Sequence, residues 1–159
     1  MWKQRGNMDF DSRPASDYPL PDLVNYLNQG FENYFVPIQF NVSQFLVMVR
    51  RDGIDLPSSR VLLADGIPSG IALIARRGWT SRLAAMGIST DTRGKGAGSW
   101  FMKELIREAD EREEREMVLE VIEQNSPAVA LYKKSGFEIV RRLVGFIRRE
   151  AEEKGTGPL

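Results

Sequence analysis

Residues 82–112 read RLAAMGISTDTRGKGAGSWFMKELIREADER, and their order decides the architecture. Arg82–Ile88 is an apolar run of strand length. A glycine-rich stretch, Arg93-Gly94-Lys95-Gly96-Ala97-Gly98-Ser99, follows it. From about Gly98 to Arg112 the apolar residues at 101, 102, 105, 106 and 109 fall on one side of a helix. Strand, glycine loop and helix in this order form a cradle for a phosphate. Glycines let successive N–H groups approach an anion and tolerate positive φ. The helix N-terminus behind them adds unpaired N–H groups and partial positive charge. Arg93 and Lys95 place cations nearby. The same residues could also be only a tight turn into a helix.

Working outward, Val61–Ala64 and Ser69–Arg76 are strands joined by Asp65-Gly66, a tight-turn dipeptide. Gly78–Ser81 turns the chain into the strand at 82–88, which completes an antiparallel meander. On the other side, Glu116–Ile122 is a strand and Ser126-Pro127 opens a helix, with serine as cap and proline at the first turn. Gly136 stops that helix, and Phe137–Ile147 reads as a last strand. Before the meander, residues 8–15 form a short strand ending at Pro14. A helix begins at Pro21-Asp22, carries apolar residues at 23, 24, 27, 31, 34 and 35, and ends before Pro37. A second helix covers 43–51, with Ser43 as its cap and Phe45, Leu46 and Val49 as its buried face. The charged run at 111–116 reads as a solvated helix end, and the tail from Arg148 as frayed. The fold class is α+β.

The 159 residues suit one domain, and 42% hydrophobic with 28% charged residues supports a core and a soluble surface. No apolar run is long enough to cross a bilayer and the first residues lack signal-peptide character, so a cytoplasmic protein is expected. There is no cysteine and no histidine. Thiol nucleophiles, disulfides and thiolate metal sites are excluded, and no metal is expected. Acid–base work falls to Glu, Asp, Lys, Tyr, water or a terminal amine. A formal net charge of zero gives no general attraction to nucleic acid or to an anionic membrane.

The loop does not meet the nucleoside-triphosphate pattern, because Gly96 follows Lys95, nor the dinucleotide pattern, because its third glycine arrives one residue early at Gly98. It does meet R-x-x-G-x-G, from Arg93 to Gly98. Downstream stand Leu119-Glu120-Val121, Asn125, Ala128, Leu131-Tyr132 and Gly136-Phe137. In order and spacing, residues 60–147 resemble the GNAT superfamily of acetyl-coenzyme A-dependent N-acetyltransferases. Residues 1–60 match it only as one strand and two helices.

The resemblance implies a mixed, mostly antiparallel sheet flanked by helices on both faces, with a splayed strand pair at the cofactor cleft. It implies one acetyltransferase domain over 1–159. Residues 1–60 would line the acceptor site, 61–147 form the cofactor-binding core, and 148–159 the tail. Acetyl-coenzyme A would be held by Arg93, Gly94, Lys95, Gly96, Ala97, Gly98 and Ser99 at its pyrophosphate. The main chain near Gly87 and Ile88, with Asn125, would meet its pantetheine arm. Direct attack by an amine, on a small molecule or a peptide, needs no acyl-enzyme, which agrees with the absence of cysteine. Tyr132 is the candidate acid toward the departing thiolate; by spacing alone it could equally be a core position of its helix.

Glu120, twelve residues earlier, is the candidate base, and its place between Val118 and Ile122 suggests partial burial with a raised pKa. Solvent exposure with ordering of a water is the alternative. The Tyr34–Pro37 run and Trp79 either pack in the core or line a substrate groove. A coenzyme A-binding domain without turnover is the other functional reading. Family members usually end in two strands and this chain offers one, so either a longer protein or a second subunit in a homodimer completes the sheet.

Overall fold

A computed structural model describes residues 6–146. Its elements in chain order are β1 (Phe10–Pro14), α1 (Leu20–Gly30), α2 (Val42–Asp52), β2 (Arg60–Ala64), β3 (Ile67–Arg77), β4 (Thr80–Ile88), α3 (Ala97–Glu111), β5 (Glu116–Leu119) and α4 (Ser126–Lys134). They build one five-stranded sheet in the order β1-β2-β3-β4-β5. The first three pairings are antiparallel and the last is parallel. This is the expected α+β architecture. Asp65 and Gly66 both take positive φ, 50° and 79°, the backbone of a two-residue turn matched to strand twist.

Alternation along the central strands divides the interior into two cores, one on each face. Val61, Leu63, Ile71 and Leu73 point to one side, where they pack with Leu23, Leu27 and Phe45 from α1 and α2. Leu62, Ala72, Ile74 and Leu83 point to the other and meet Phe101, Met102 and Leu105 of α3, with Leu131 of α4 beside them. Each fully buried leucine or phenylalanine among these contributes about 2 kcal/mol. Arg60 also reaches from β2 to the buried Glu108 of α3, with nitrogen–oxygen distances of 2.9 and 2.7 Å.

The helix ends differ from the sequence reading. α1 stops at Gly30, not before Pro37, because there it crosses β4 in backbone contact. A Cβ on Gly30 would lie 2.7 Å from the Gly87 Cα, so the chain must turn away. Asn28 then fixes the outgoing loop, donating to the Phe40 carbonyl at 2.9 Å and accepting from the Phe40 N–H at 2.8 Å. α2 is capped by Asn41, not Ser43, through a reciprocal box with Gln44. Its buried residue is Phe45, and Leu46 is exposed.

α4 is capped by Asn125, one residue before the expected Ser126. β5 ends at Leu119 rather than Ile122. Residues 137–146 form no strand: nothing among the described residues pairs with them, and Ile139, Val140, Leu143, Val144 and Phe146 are exposed. The rest of that expected strand, Ile147, and the tail lie outside the described residues. Nor is the run at 111–116 wholly solvated. The Glu114 carboxylate is only 1% exposed and pairs with Arg76 and Arg112, each at 2.8 Å.

Candidate active site

The parallel pairing of β4 with β5 covers only Thr80–Leu83 against Glu116–Leu119. Beyond Leu83, β4 continues for five residues, Ala84–Ile88, with no partner on that edge among the described residues. The two strands therefore diverge, and Gly87 and Ile88 lie at the far end of the gap. This is the splayed pair expected from the sequence. Gly87 is buried against Gly30, and the Ile88 carbonyl accepts a hydrogen bond from Arg93 Nε at 2.8 Å.

The glycine loop leads from this strand end into α3. Gly94 and Gly96 take φ of 74° and 83°, and a Cβ on either would meet nothing within 4 Å. Their glycines are needed for conformation, not for packing room inside the protein. α3 begins at Ala97 with Gly96 as its cap residue and no side chain satisfying its first turn. No hydrogen bond among the described residues engages the N–H groups of Gly94, Lys95, Gly96, Ala97, Gly98 or Ser99. Six successive free donors at a helix N-terminus fit a pyrophosphate. Lys95 is exposed beside them. A Cβ on Gly98 would lie 3.2 Å from Leu131, so glycine there lets α4 pack against the loop. From Ser99 a groove of about 380 Å³ runs between α3 and α4, lined by Lys103, Arg107 and Lys134.

A second, larger cleft of about 1220 Å³ lies between β5, α4 and the segment after Gly136. Tyr132, Glu120, Arg82 and Tyr34 all line it, as do Met117 and Phe137. Tyr132 is half-buried on α4, its ring edge-on to Phe137 with centroids 6.0 Å apart. Burial raises its phenol above the ordinary tyrosine range, with a smaller contribution from Tyr34. Glu120 does not match the expected partial burial. It stands just past the end of β5 with its side chain 61% exposed, and its nearest charge is Arg82 at 3.8 Å. With β5 ending one residue earlier, nothing flanks this carboxylate as a continuing strand would.

Asn125 accepts from the Ala128 N–H at 3.3 Å through Oδ1, capping α4. Its amide nitrogen makes no hydrogen bond among the described residues. Trp79 stands at the β3–β4 turn, at the end of β4 away from the loop, exposed and with Arg115 5.9 Å from its ring centre. It is neither core nor groove wall. Tyr34 is the residue whose place in the site the sequence did not decide. The aromatic spacing of 31, 34 and 35 suggested helical continuation, and no local signal marks the contact with Gly87 at which α1 ends. Among the described residues no cluster of acidic side chains is arranged to hold a metal ion.

A sheet of this topology, a splayed strand pair and an N–H-lined loop define a class of proteins that take a phosphate-bearing ligand across the sheet. The acetyltransferase (GNAT) family model matches residues 22–137, and the chain belongs to that family. It is 34% identical over 76 residues to a streptothricin acetyltransferase of Streptomyces lavendulae. That stretch covers 46% of this chain and 40% of the relative, less than half of either. Among solved structures, the ribosomal-protein-alanine N-acetyltransferase of Brucella melitensis superposes with a TM-score of 0.60 at 26% identity, over 81% of this chain and 83% of that one. An aminoglycoside N-acetyltransferase solved with coenzyme A superposes with a TM-score of 0.63 at 15% identity, over 94% and 99%.

Proposed function

We propose that this chain, as one acetyltransferase domain, transfers the acetyl group of acetyl-coenzyme A directly to a primary amine of a peptide or a small molecule. The observation that carries the reading is the run of free N–H groups over Gly94–Ser99 at the end of β4, whose edge toward β5 is unpaired beyond Leu83 among the described residues. The loop receives the pyrophosphate, the basic groove along Lys103 and Lys134 receives the phosphorylated nucleoside, and the β4 edge with Asn125 receives the pantetheine arm. Acetyl-coenzyme A supplies the acyl group already activated as a thioester. The amine nitrogen of the acceptor attacks the acetyl carbonyl, the carbon–sulfur bond breaks, and the Tyr132 phenol gives its proton to the departing sulfur. Burial keeps that phenol protonated at neutral pH, as a donor requires. The proton lost by the amine leaves through water beside the exposed Glu120, and a proton from solvent returns to the Tyr132 phenolate, which restores the acid.

The acceptor enters from the side of α1 and the loop that bears Tyr34. Named relatives are a streptothricin acetyltransferase and a ribosomal-protein-alanine N-acetyltransferase, so an antibiotic and a peptide are the acceptors to try first. Acetyl-coenzyme A supply places the reaction in the cytoplasm. The free edge of β5 and the exposed apolar residues between Ile139 and Phe146 support a homodimer, in which that segment of one copy completes the sheet of the other.

The test is thiol release from acetyl-coenzyme A with a panel of polyamines, aminoglycosides, streptothricin and peptides bearing an N-terminal alanine. Wild type should release thiol only with an acceptor. Tyr132→Phe should lose kcat by roughly 10²-fold or more with an unchanged KM for acetyl-coenzyme A. Equal rates in the two proteins would remove Tyr132 from the chemistry.

A further inference from the structure

Arg93 opens the glycine loop, where a cation is expected to face phosphate. Two of its donors are directed elsewhere. Nε donates to the Ile88 carbonyl and Nη2 to the Gly30 carbonyl, both at 2.8 Å. Ile88 ends β4 and Gly30 ends α1. The Gly30 carbonyl is among those a helix leaves without a partner at its C-terminus, and no backbone N–H takes it. A cation there also meets the negative end of the helix. Next to Ile88, Gly87 touches Gly30 backbone to backbone: a Cβ on either would lie 2.7–2.8 Å from the other's Cα. The guanidinium thus spans the one crossing where this helix and this strand approach so closely. Its planar fork can hold two acceptors in fixed relation, which a lysine ammonium cannot do.

Tyr34 depends on that crossing. The chain leaves α1 at Gly30 and reaches Tyr34 four residues later, on the wall of the cleft that holds Tyr132. We infer that Arg93 is a positioning residue for the acceptor wall: it locks the end of α1 to β4, and so sets Tyr34 against Tyr132, instead of binding phosphate.

The inference rests on the acetyl-transfer reading, and the experiment separates the two. Acetyl-coenzyme A is titrated calorimetrically into wild type, Arg93→Lys and Arg93→Gln, and hydrogen exchange is followed over residues 27–36. Steady-state constants are measured with whichever panel amine wild type acetylates. A phosphate ligand acts by charge, so Lys would keep the affinity and Gln would lose about tenfold or more. A clamp acts by geometry. Both variants should then bind acetyl-coenzyme A within about threefold of wild type, while exchange over 27–36 quickens about tenfold and that of β3 stays unchanged. KM for the amine should rise about tenfold in both, with KM for acetyl-coenzyme A unmoved. Affinity lost in Arg93→Gln and restored in Arg93→Lys would overturn the clamp, as would unchanged exchange over 27–36. Neither result touches the acetyltransferase reading, which fails only if wild type binds no acetyl-coenzyme A; the exchange result decides the clamp even then.

Discussion

Tyr132 and Glu114 show how one physical cause, burial, raises both groups and prevails only where no cation opposes it. Tyr132 has an aromatic neighbour and no cation paired with it among the described residues, so burial raises it and the neutral phenol persists. The expected pH profile of kcat therefore shows no alkaline fall below about pH 10 from this group, and a fall near pH 8 that vanished in Tyr132→Phe would contradict it. For Glu114, burial alone would raise the carboxyl, but hydrogen bonds led by Arg112 and joined by Arg76 outweigh it and hold it below the ordinary range. A lowered folded pKa stabilises the protein above the unfolded value, near 4.3, and that stability fades as pH falls through the folded value. Glu114→Ala leaves two partly solvated arginines without their partner and should cost about 2 kcal/mol at pH 7. Urea unfolding at pH 7 and pH 3 should show the gap between variant and wild type shrinking in acid. The sequence did not reveal this residue, because EREERE looks like solvated charge until the turn brings Arg76 beside it. Glu120 illustrates the reverse: alternation suggested burial, and the early end of β5 exposes it.

At the scale of elements, much of the fold was legible because the deciding interactions are local. Asp65-Gly66 specifies its turn by conformation alone, and the 101, 102, 105 spacing specifies the buried face of α3. Boundaries set by distant contacts were not legible. α1 ends at Gly30 because Gly87, 57 positions away, touches it, and no local pattern carries that. The segment after Gly136 is rich in the β-branched and aromatic residues of a strand, yet a strand needs a partner edge, which the described residues do not give it. Asn125 joins a local role to a proposed distant one, and substitution can separate them. Asn125→Ser keeps a good cap, whereas Asn125→Ala should cost about 1 kcal/mol. Thermal melts should therefore place the serine variant with wild type and the alanine variant below. KM for acetyl-coenzyme A should rise in both; an unchanged KM in Asn125→Ser would confine Asn125 to capping.

At the scale of the molecule, the sheet ends on β5, whose outer edge pairs with no strand among the described residues. Ile139 and Val140 are 75% and 89% exposed beside it, an apolar surface that water disfavours. Sedimentation should accordingly report about twice the 18.0 kDa of one chain, and a Val118→Lys, Val121→Lys double variant should sediment as a monomer; a monomeric wild type would contradict the shared sheet. The central claim is that the loop and the gap beside β4 hold acetyl-coenzyme A. Its most direct test is calorimetric titration of acetyl-coenzyme A into wild type and into a Gly96→Trp variant checked for an intact melting transition. Micromolar binding by wild type, lost in the variant, is the expected result. A folded wild type that binds nothing, or a variant that binds as tightly, would contradict the account.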